Sequence, residues 1–472
     1  MNAKKVAFGE YIHDSSTNKI LFIPDFEKGI DVFRKVCSEF LQYSFCNPDS
    51  ELILVVNGLY EVSHYVYHYI HRIWLSSVFK VRYVIKRKED IFSLLREVNY
   101  YIPSNYANEE LDVLDEAIDC GVTVLSPVAD NIFYGLPVDA GRVKIKEQLA
   151  QVLQDNLMKK FPLDEYDYFL FHQGLGETLI CFYLLKEYKE RFGKKILMLC
   201  FDPSREHVFG HCPYVDCVLH IDVHTFAYMS IFWEEKYNIK NALEMWFAPY
   251  SSQYCWQVED RANNMISAVR AFLKLPLWNG IEKYPIQVSA ESVNTVRRRI
   301  KELNIRKGRT VFLITDAIGL GDSGLGKAFW LSLIEKLKEK DYDVVVNSKD
   351  KYAEGVKTAY FKPFEVGEFV NYCGYVVSVS TGILDFIGCF ADSNVEIHRI
   401  VPVQLSAWKE SYPRWLINSL PNMYQCGGDY FSVAMRGVNA YQKMLWGDFA
   451  SNVKTHLYDD MDELKKNIVD EL

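Results

Sequence analysis

Short apolar runs alternate with amphipathic stretches along the whole 472-residue chain, and this alternation dictates an α/β fold built on parallel sheets. In a first block the runs KILFIP, ELILVV, VRYVIK, YYIPS and TVLSPV read as strands. Helical periodicity covers Gly29 to Tyr43, Tyr60 to Ser77, Lys88 to Glu97 and Asn108 to Cys120 between them. A charged helical stretch, Gly141 to Lys160, follows as a connector ending at Pro162. The second block holds the strands YDYFLFH, KILMLCF and VDCVLHID, a helix through Arg191, and aromatic-rich helices from Thr225 to Leu273. A hinge-like segment, LPLWNGIEKYP, and an amphipathic helix from Ser289 to Asn304 lead to the third block. Its strands are TVFLITDA, DVVVNS and YVVSVS, with helices running to Glu339 and over Val366 to Cys373. Residues 426–472 read as helical and acidic and are expected to close back over an earlier domain.

The charge balance narrows the function. With 53 Lys plus Arg against 62 Asp plus Glu, the net charge of -9 argues against a general nucleic-acid binder. No apolar run approaches the roughly 18 residues of a membrane span, and MNAKKVAFGEYIHDSS lacks the apolar core of a signal peptide, so a cytoplasmic protein is expected. The eleven cysteines are scattered, several inside apolar runs, as reduced core thiols are. One span, REHVFGHCPYVDCVLHIDVH, gathers His207, His211, Cys212, Cys217, His220, Asp222 and His224. Its spacing matches no paired CxxC zinc site, and its apolar alternation reads as a loop followed by a strand.

Three turns could carry chemistry. In YFLFHQGLGETLIC a buried strand runs into Gln173-Gly174-Leu175-Gly176-Glu177 and a helix opens behind it. Glycines at such a turn let the backbone crowd a ligand, and a carboxylate in the first helical turn stands beside that ligand. The loop Gly319 to Lys327 is glycine-rich but lacks the GK[ST] ending of a P-loop, so nucleoside triphosphate hydrolysis is disfavoured; Ser323 and Lys327 remain as a hydroxyl and a point charge suited to a phosphate. Ser380-Thr381-Gly382, between a strand and a helix, offers unpaired N–H groups and a positive dipole end to an anion, or serves as an ordinary helix cap. Asp459-Asp460-Met461-Asp462 is the nearest approach to a metal-binding D-x-D and lies in the acidic tail.

The order of these elements resembles the heptosyltransferase family, the ADP-heptose:lipopolysaccharide transferases of the two-Rossmann (GT-B) architecture. Gly176-Glu177 is similar to that family's G-D turn, and Cys212-Pro213-Tyr214-Val215-Asp216-Cys217-Val218-Leu219 to its P-x-V-D-x-V-I segment. Lys327-Ala328-Phe329-Trp330 resembles its K-x-W with one residue inserted, and Ser380-Thr381-Gly382-Ile383-Leu384-Asp385 its D-[ST]-G-x-x-H. The resemblance runs from about Asp164 onward and implies two Rossmann-like domains facing a cleft, preceded by an additional Rossmann-like α/β domain. On this reading residues 1–140 are the extra domain, 141–163 a helical connector, 164–280 the acceptor-side domain, 281–425 the nucleotide-sugar domain and 426–472 a tail packing back.

The resemblance further implies an inverting, metal-independent transfer of a sugar from a nucleotide diphosphate to a hydroxyl of a glycan, glycolipid or protein, with no cofactor. Glu177 then falls on the base, Gln173, Gly174 and Gly176 on the acceptor-side loop, and Ser323, Lys327, Ser380, Thr381, Gly382 and Asp385 on the donor. A ribose-binding acid is expected after DVVVNS, where Asp350 and Glu354 are both available. Glu for Asp at 177 lengthens the arm by a methylene, and Ser380 and Asp385 stand where the family has Asp and His. Peripheral membrane contact and a homo-oligomer stay open. In the first block, Asn105 to Val128 is similar to the nucleotide-sugar end of other two-Rossmann glycosyltransferases, with Glu109 and Glu116 on one helical face. Two other readings remain: a catalytically silent nucleotide-sugar-binding scaffold, and a nucleotide-sugar epimerase.

Overall fold

A computed structural model describes residues 18–24, 31–56, 80–85, 88–103, 111–242, 265–276, 280–286, 288–315, 325–379, 381–402, 445–458 and 460–472. Ser323, Ser380, Glu109, the stretch Tyr60 to Ser77 and the aromatic run MWFAPYSSQYCWQ lie outside them. The chain divides into two compact units, residues 1–160 with 223–238, and residues 161–222 with 239–472.

The first unit is wound on strands β1 (Lys19–Ile23), β2 (Glu51–Val56), β3 (Lys80–Ile85), β4 (Tyr100–Pro103) and β5 (Thr123–Val124), all parallel in the order β3-β2-β1-β4-β5. Alternate residues of these apolar runs serve opposite faces. Leu21, Ile53 and Val55 meet Ile91, Leu94 and Leu95 of the helix Lys88–Leu95, and Val113 and Ala117 of Leu111–Asp119. On the opposite face Phe22 stacks on Phe33 of the helix Asp31–Cys46, ring centroids 6.3 Å apart. The helix Ala140–Val152 is capped by the Asp139 carboxylate, which accepts from the N–H groups of Gly141 and Arg142, and it buries no residue. Residues 223–238 return to this unit through Tyr228 and Phe232, which meet Phe45 edge-on at 5.7 Å each.

The second unit contains two parallel sheets. The first, in the order β8-β7-β6-β9, consists of β6 (Tyr166–Leu170), β7 (Lys195–Cys200), β8 (Cys217–His220) and β9 (Lys240–Asn241). The second comprises β10 (Thr310–Ile314), β11 (Asp343–Asn347), β12 (Lys357–Ala359), β13 (Gly374–Val379), β14 (Glu396–Pro402) and β15 (Val453–Tyr458) in the order β12-β11-β10-β13-β14-β15. Counted from β10 this is 3-2-1-4-5-6, the Rossmann strand order, whose direction reverses between β10 and β13. The tail departs from the helical expectation: 453–458 is a strand, its backbone paired parallel to β14 from Ile397↔Val453 to Pro402↔Tyr458. Among the described residues of the tail the acidic helix is Met461–Glu471, and its Leu464, Ile468 and Val469 pack with Leu333, Leu337 and Ile400; residues 426–444 lie outside the described residues.

The helix Leu175–Phe192, here α5, joins the two lobes of this unit. Ten of its residues are buried, on all sides rather than on one stripe, so it is flanked by protein on both faces. Phe182 lies 5.8 Å from Phe364 of the second lobe and 5.5 Å from Tyr284 of the linker, whose hydroxyl donates to the Phe182 carbonyl at 2.8 Å. Each such buried ring contributes roughly 1.5–3 kcal/mol. Arg270, fully buried, ties the linker to α5 through Glu187 at 2.6 Å and the Gly280 carbonyl at 3.0 Å.

The nine cysteines among the described residues are free thiols. Cys212 packs its Sγ 3.4 Å from the Tyr284 hydroxyl, and Asp216 accepts from the Ile196 N–H at 2.8 Å and pairs with Lys189 at 2.6 Å. The P-Y-V-D segment is thereby a pinned surface loop whose Tyr214 and Val215 pack against the core.

Candidate active site

Strand β6, central in its sheet, ends in Phe171-His172-Gln173-Gly174, and α5 begins at Leu175. Gln173 is 5% exposed. Its side-chain amide donates to the Ala242 carbonyl at 2.9 Å, bridging the carboxyl ends of β6 and β9 where the strand order reverses. Its own carbonyl accepts from Arg205 Nε at 2.8 Å, and Arg205 pairs with Asp202 at 2.9 Å. Asp202 in turn caps the helix Pro203–Gly210 by accepting from the Ser204 N–H. The turn before α5 is therefore fixed from both sides.

Glu177 occupies the first turn of α5, with its carboxylate folded back over Gly174. A Cβ at residue 174 would lie 2.5 Å from Oε2. Burial raises the carboxyl's pKa above the ordinary glutamate value, opposed by the Glu177 N–H and by the charge of Arg205. Such a group is a stronger proton acceptor than an exposed glutamate once ionised.

The turn meets its counterpart in the second sheet. A Cβ on Gly382 would lie 2.6 Å from the Gly176 backbone nitrogen and 3.1 Å from Leu175 Cβ. A Cβ on Gly176 would lie 2.4 Å from Asp385 Oδ2. Gly382 precedes the helix Ile383–Phe390, and Asp385, 2% exposed, sits in that helix's first turn. Two helix N-termini thus interlock through bare Cα atoms, bringing Gln173, Gly174, Gly176 and Glu177 together with Thr381, Gly382 and Asp385. The open side of Gly382 faces Leu175-Gly176.

Lys327 and Glu354 share the carboxyl edge of the six-stranded sheet, in the segments following β10 and β11. Lys327 is the exposed first residue of Lys327–Glu339, its Nζ 5.2 Å over the Tyr352 ring, and Glu354 is exposed in the turn before β12. Their described contacts do not extend to the paired turns.

No protein-family model and no curated protein matches the chain. Solved structures do. The E. coli ADP-heptose LPS heptosyltransferase II aligns over 65% of this chain and 97% of its own at 10% identity and a TM-score of 0.39. A glycosyl transferase family 9 protein from Veillonella parvula aligns over 64% and 89% at 12% identity and a TM-score of 0.37. The E. coli heptosyltransferase WaaC with ADP-2-deoxy-2-fluoro heptose aligns over 56% and 100% at 11% and 0.33. These likenesses are to glycosyltransferases.

Sequence reasoning missed Arg205 and its partner Asp202. The signal available was Asp202-Pro203-Ser204-Arg205, a helix start at the carboxyl end of the strand next to β6. His207, which the sequence gathered only as one of a ligand-capable span, has its ring 4.5 Å from His211, both against Phe364 of the second lobe. His207 Nε2 is buried without a hydrogen-bond partner. Burial, then the His211 and Lys362 charges, pushes this imidazole down to about 4 from an ordinary 6.5. Unfolded chains therefore take up the proton first, and the stability this neutral ring confers is present above pH 6.5 and lost as pH falls towards 4. Urea midpoints should fall more steeply over that window for wild type than for His207→Gln; equal slopes would refute the assignment.

Proposed function

We propose that this chain is a glycosyltransferase that moves a sugar from a nucleotide-diphosphate donor to a hydroxyl of a glycan, glycolipid or protein acceptor, with inversion and without a catalytic metal. The observation that carries the reading is the half-buried Glu177 carboxylate at the carboxyl edge of one parallel sheet, its turn locked against the 381–382 turn at the carboxyl edge of a Rossmann-ordered sheet. In open α/β sheets ligands bind at such edges, where strand order reverses.

In this reading Glu177 takes the proton of the acceptor hydroxyl, which must come within hydrogen-bond reach, ~3 Å. Gln173, Gly174 and Gly176 line the acceptor side. The leaving diphosphate gains negative charge as the sugar–oxygen bond breaks, and the Lys327 ammonium with N–H groups near Thr381 and Gly382 stabilises it. Ser323 and Ser380 add hydroxyls, and Glu354 holds the ribose. A second reading, a catalytically silent nucleotide-sugar-binding scaffold subunit, rests on Ser380 and Asp385 standing where the resembled family has Asp and His.

Thermal stabilisation by ADP-, GDP-, UDP- and CDP-linked sugars tests the donor site. A ligand at 100 times its dissociation constant should add about 2.7 kcal/mol, and Lys327→Ala should remove most of that gain. No stabilisation by any donor would sink both readings; stabilisation without product from any acceptor would favour the silent one.

A further inference from the structure

At the far edge of the six-stranded sheet, β14 and β15 place two histidines on one face. The register pairs His398 with Lys454 and Ile400 with His456. His398 Nδ1 faces His456 Nε2 at 2.8 Å, with the rings 12° from parallel. His398 is 0% and His456 8% exposed. On the outer side of His398, Nε2 lies 2.9 Å from Glu396 Oε1, and Lys454 engages that carboxylate. Glu471, in the last turn of Met461–Glu471, brings Oε2 to 4.0 Å from His456 Nε2. One ligand atom from each of His398, His456 and Glu471 falls within 4.8 Å of the others.

We propose that His398, His456 and Glu471 bind a divalent transition-metal ion of the zinc, cobalt or nickel class. Two imidazoles and one carboxylate form a donor set for these ions, whereas magnesium and calcium favour all-oxygen shells. Glu396 stands where a metal-bound imidazole finds a carboxylate on its second nitrogen, an arrangement that fixes the ring's orientation and raises its basicity. Glu471 is exposed enough, at 44%, to close its gap by changing rotamer, and solvent supplies the fourth position. Lys454, with Nζ 3.7 Å from Glu471, competes with the ion for that carboxylate. The histidines sit within the strands rather than at their carboxyl ends, so the ion is structural: it ties β15 and the terminal helix to β14.

The full chain, stripped with a chelator and titrated calorimetrically with ZnCl2, should bind one equivalent at this site, and Co2+ should give the absorption of a tetrahedral ligand field. Glu471→Gln, which changes an exposed side chain and should leave the fold intact, is expected to weaken binding at least about tenfold. His456→Gln should abolish it, and Lys454→Met should tighten it. Absence of saturable binding in the wild type, or an affinity unchanged by Glu471→Gln and His456→Gln, would overturn the assignment.

Discussion

Glu177→Ala is expected to lower the rate of sugar transfer by ~10²–10⁴-fold, the contribution of a positioned general base, while leaving the donor's dissociation constant unchanged. The two measurements belong together: product formation under saturating donor, and calorimetric donor binding. Loss of both would assign Glu177 to folding of the turn instead, since its carboxylate packs over Gly174 and its own N–H. Retention of full transfer would dismiss it as the base. The pH profile adds a signed check. The ionised form accepts the proton, so activity should fall as pH drops through the Glu177 pKa, and burial places that limb above the ordinary glutamate range of about 4.3. Arg205 opposes the shift, so Arg205→Met should move the limb further up, whereas a merely structural Arg205 would change rate without moving it.

The second large effect is expected at Gly382. Alanine there puts a methyl 2.6 Å from the Gly176 nitrogen and 3.1 Å from Leu175 Cβ, and backbone rather than a mobile side-chain tip must yield. Overpacking of this kind costs about 1–3 kcal/mol, and because both turns shift, transfer should fall with stability. Gly210 supplies the control, since a Cβ there meets nothing within 4 Å. Urea midpoints showing Gly382→Ala as stable as Gly210→Ala would contradict the interlock. Gly176→Ala meets the Asp385 carboxylate, so pairing it with Asp385→Ala should recover part of the loss, with a coupling of at least about 0.5 kcal/mol.

Much of the framework was legible in the sequence because strands buried on both faces read as continuous apolar runs, such as TVFLI and YVVSV, and glycines mark where they give way to helices. The strand at 453–458 was harder to read: polar Lys454 and His456 interrupt it, and its identity depends on β14 alongside. The site was legible where one segment supplies it, as in Gln173 through Glu177. Contacts contributed by distant segments carried no local signal, as with Arg205 on the Gln173 carbonyl or Asp385 against Gly176. The sequence suggested that the bare Cα atoms of Gly176 and Gly382 make room for a ligand, and in the structure each also makes room for the opposite turn.

That interlock bears on how such a chain can change over generations. Gly176 and Gly382 each occupy the space that a side chain on the other's turn would need, so a side chain gained at either one is penalised while its counterpart stays in place. Their histories are then bound together: descendants should keep both glycines or replace them jointly, and a lineage losing only one should show a compensating change at Leu175 or Asp385.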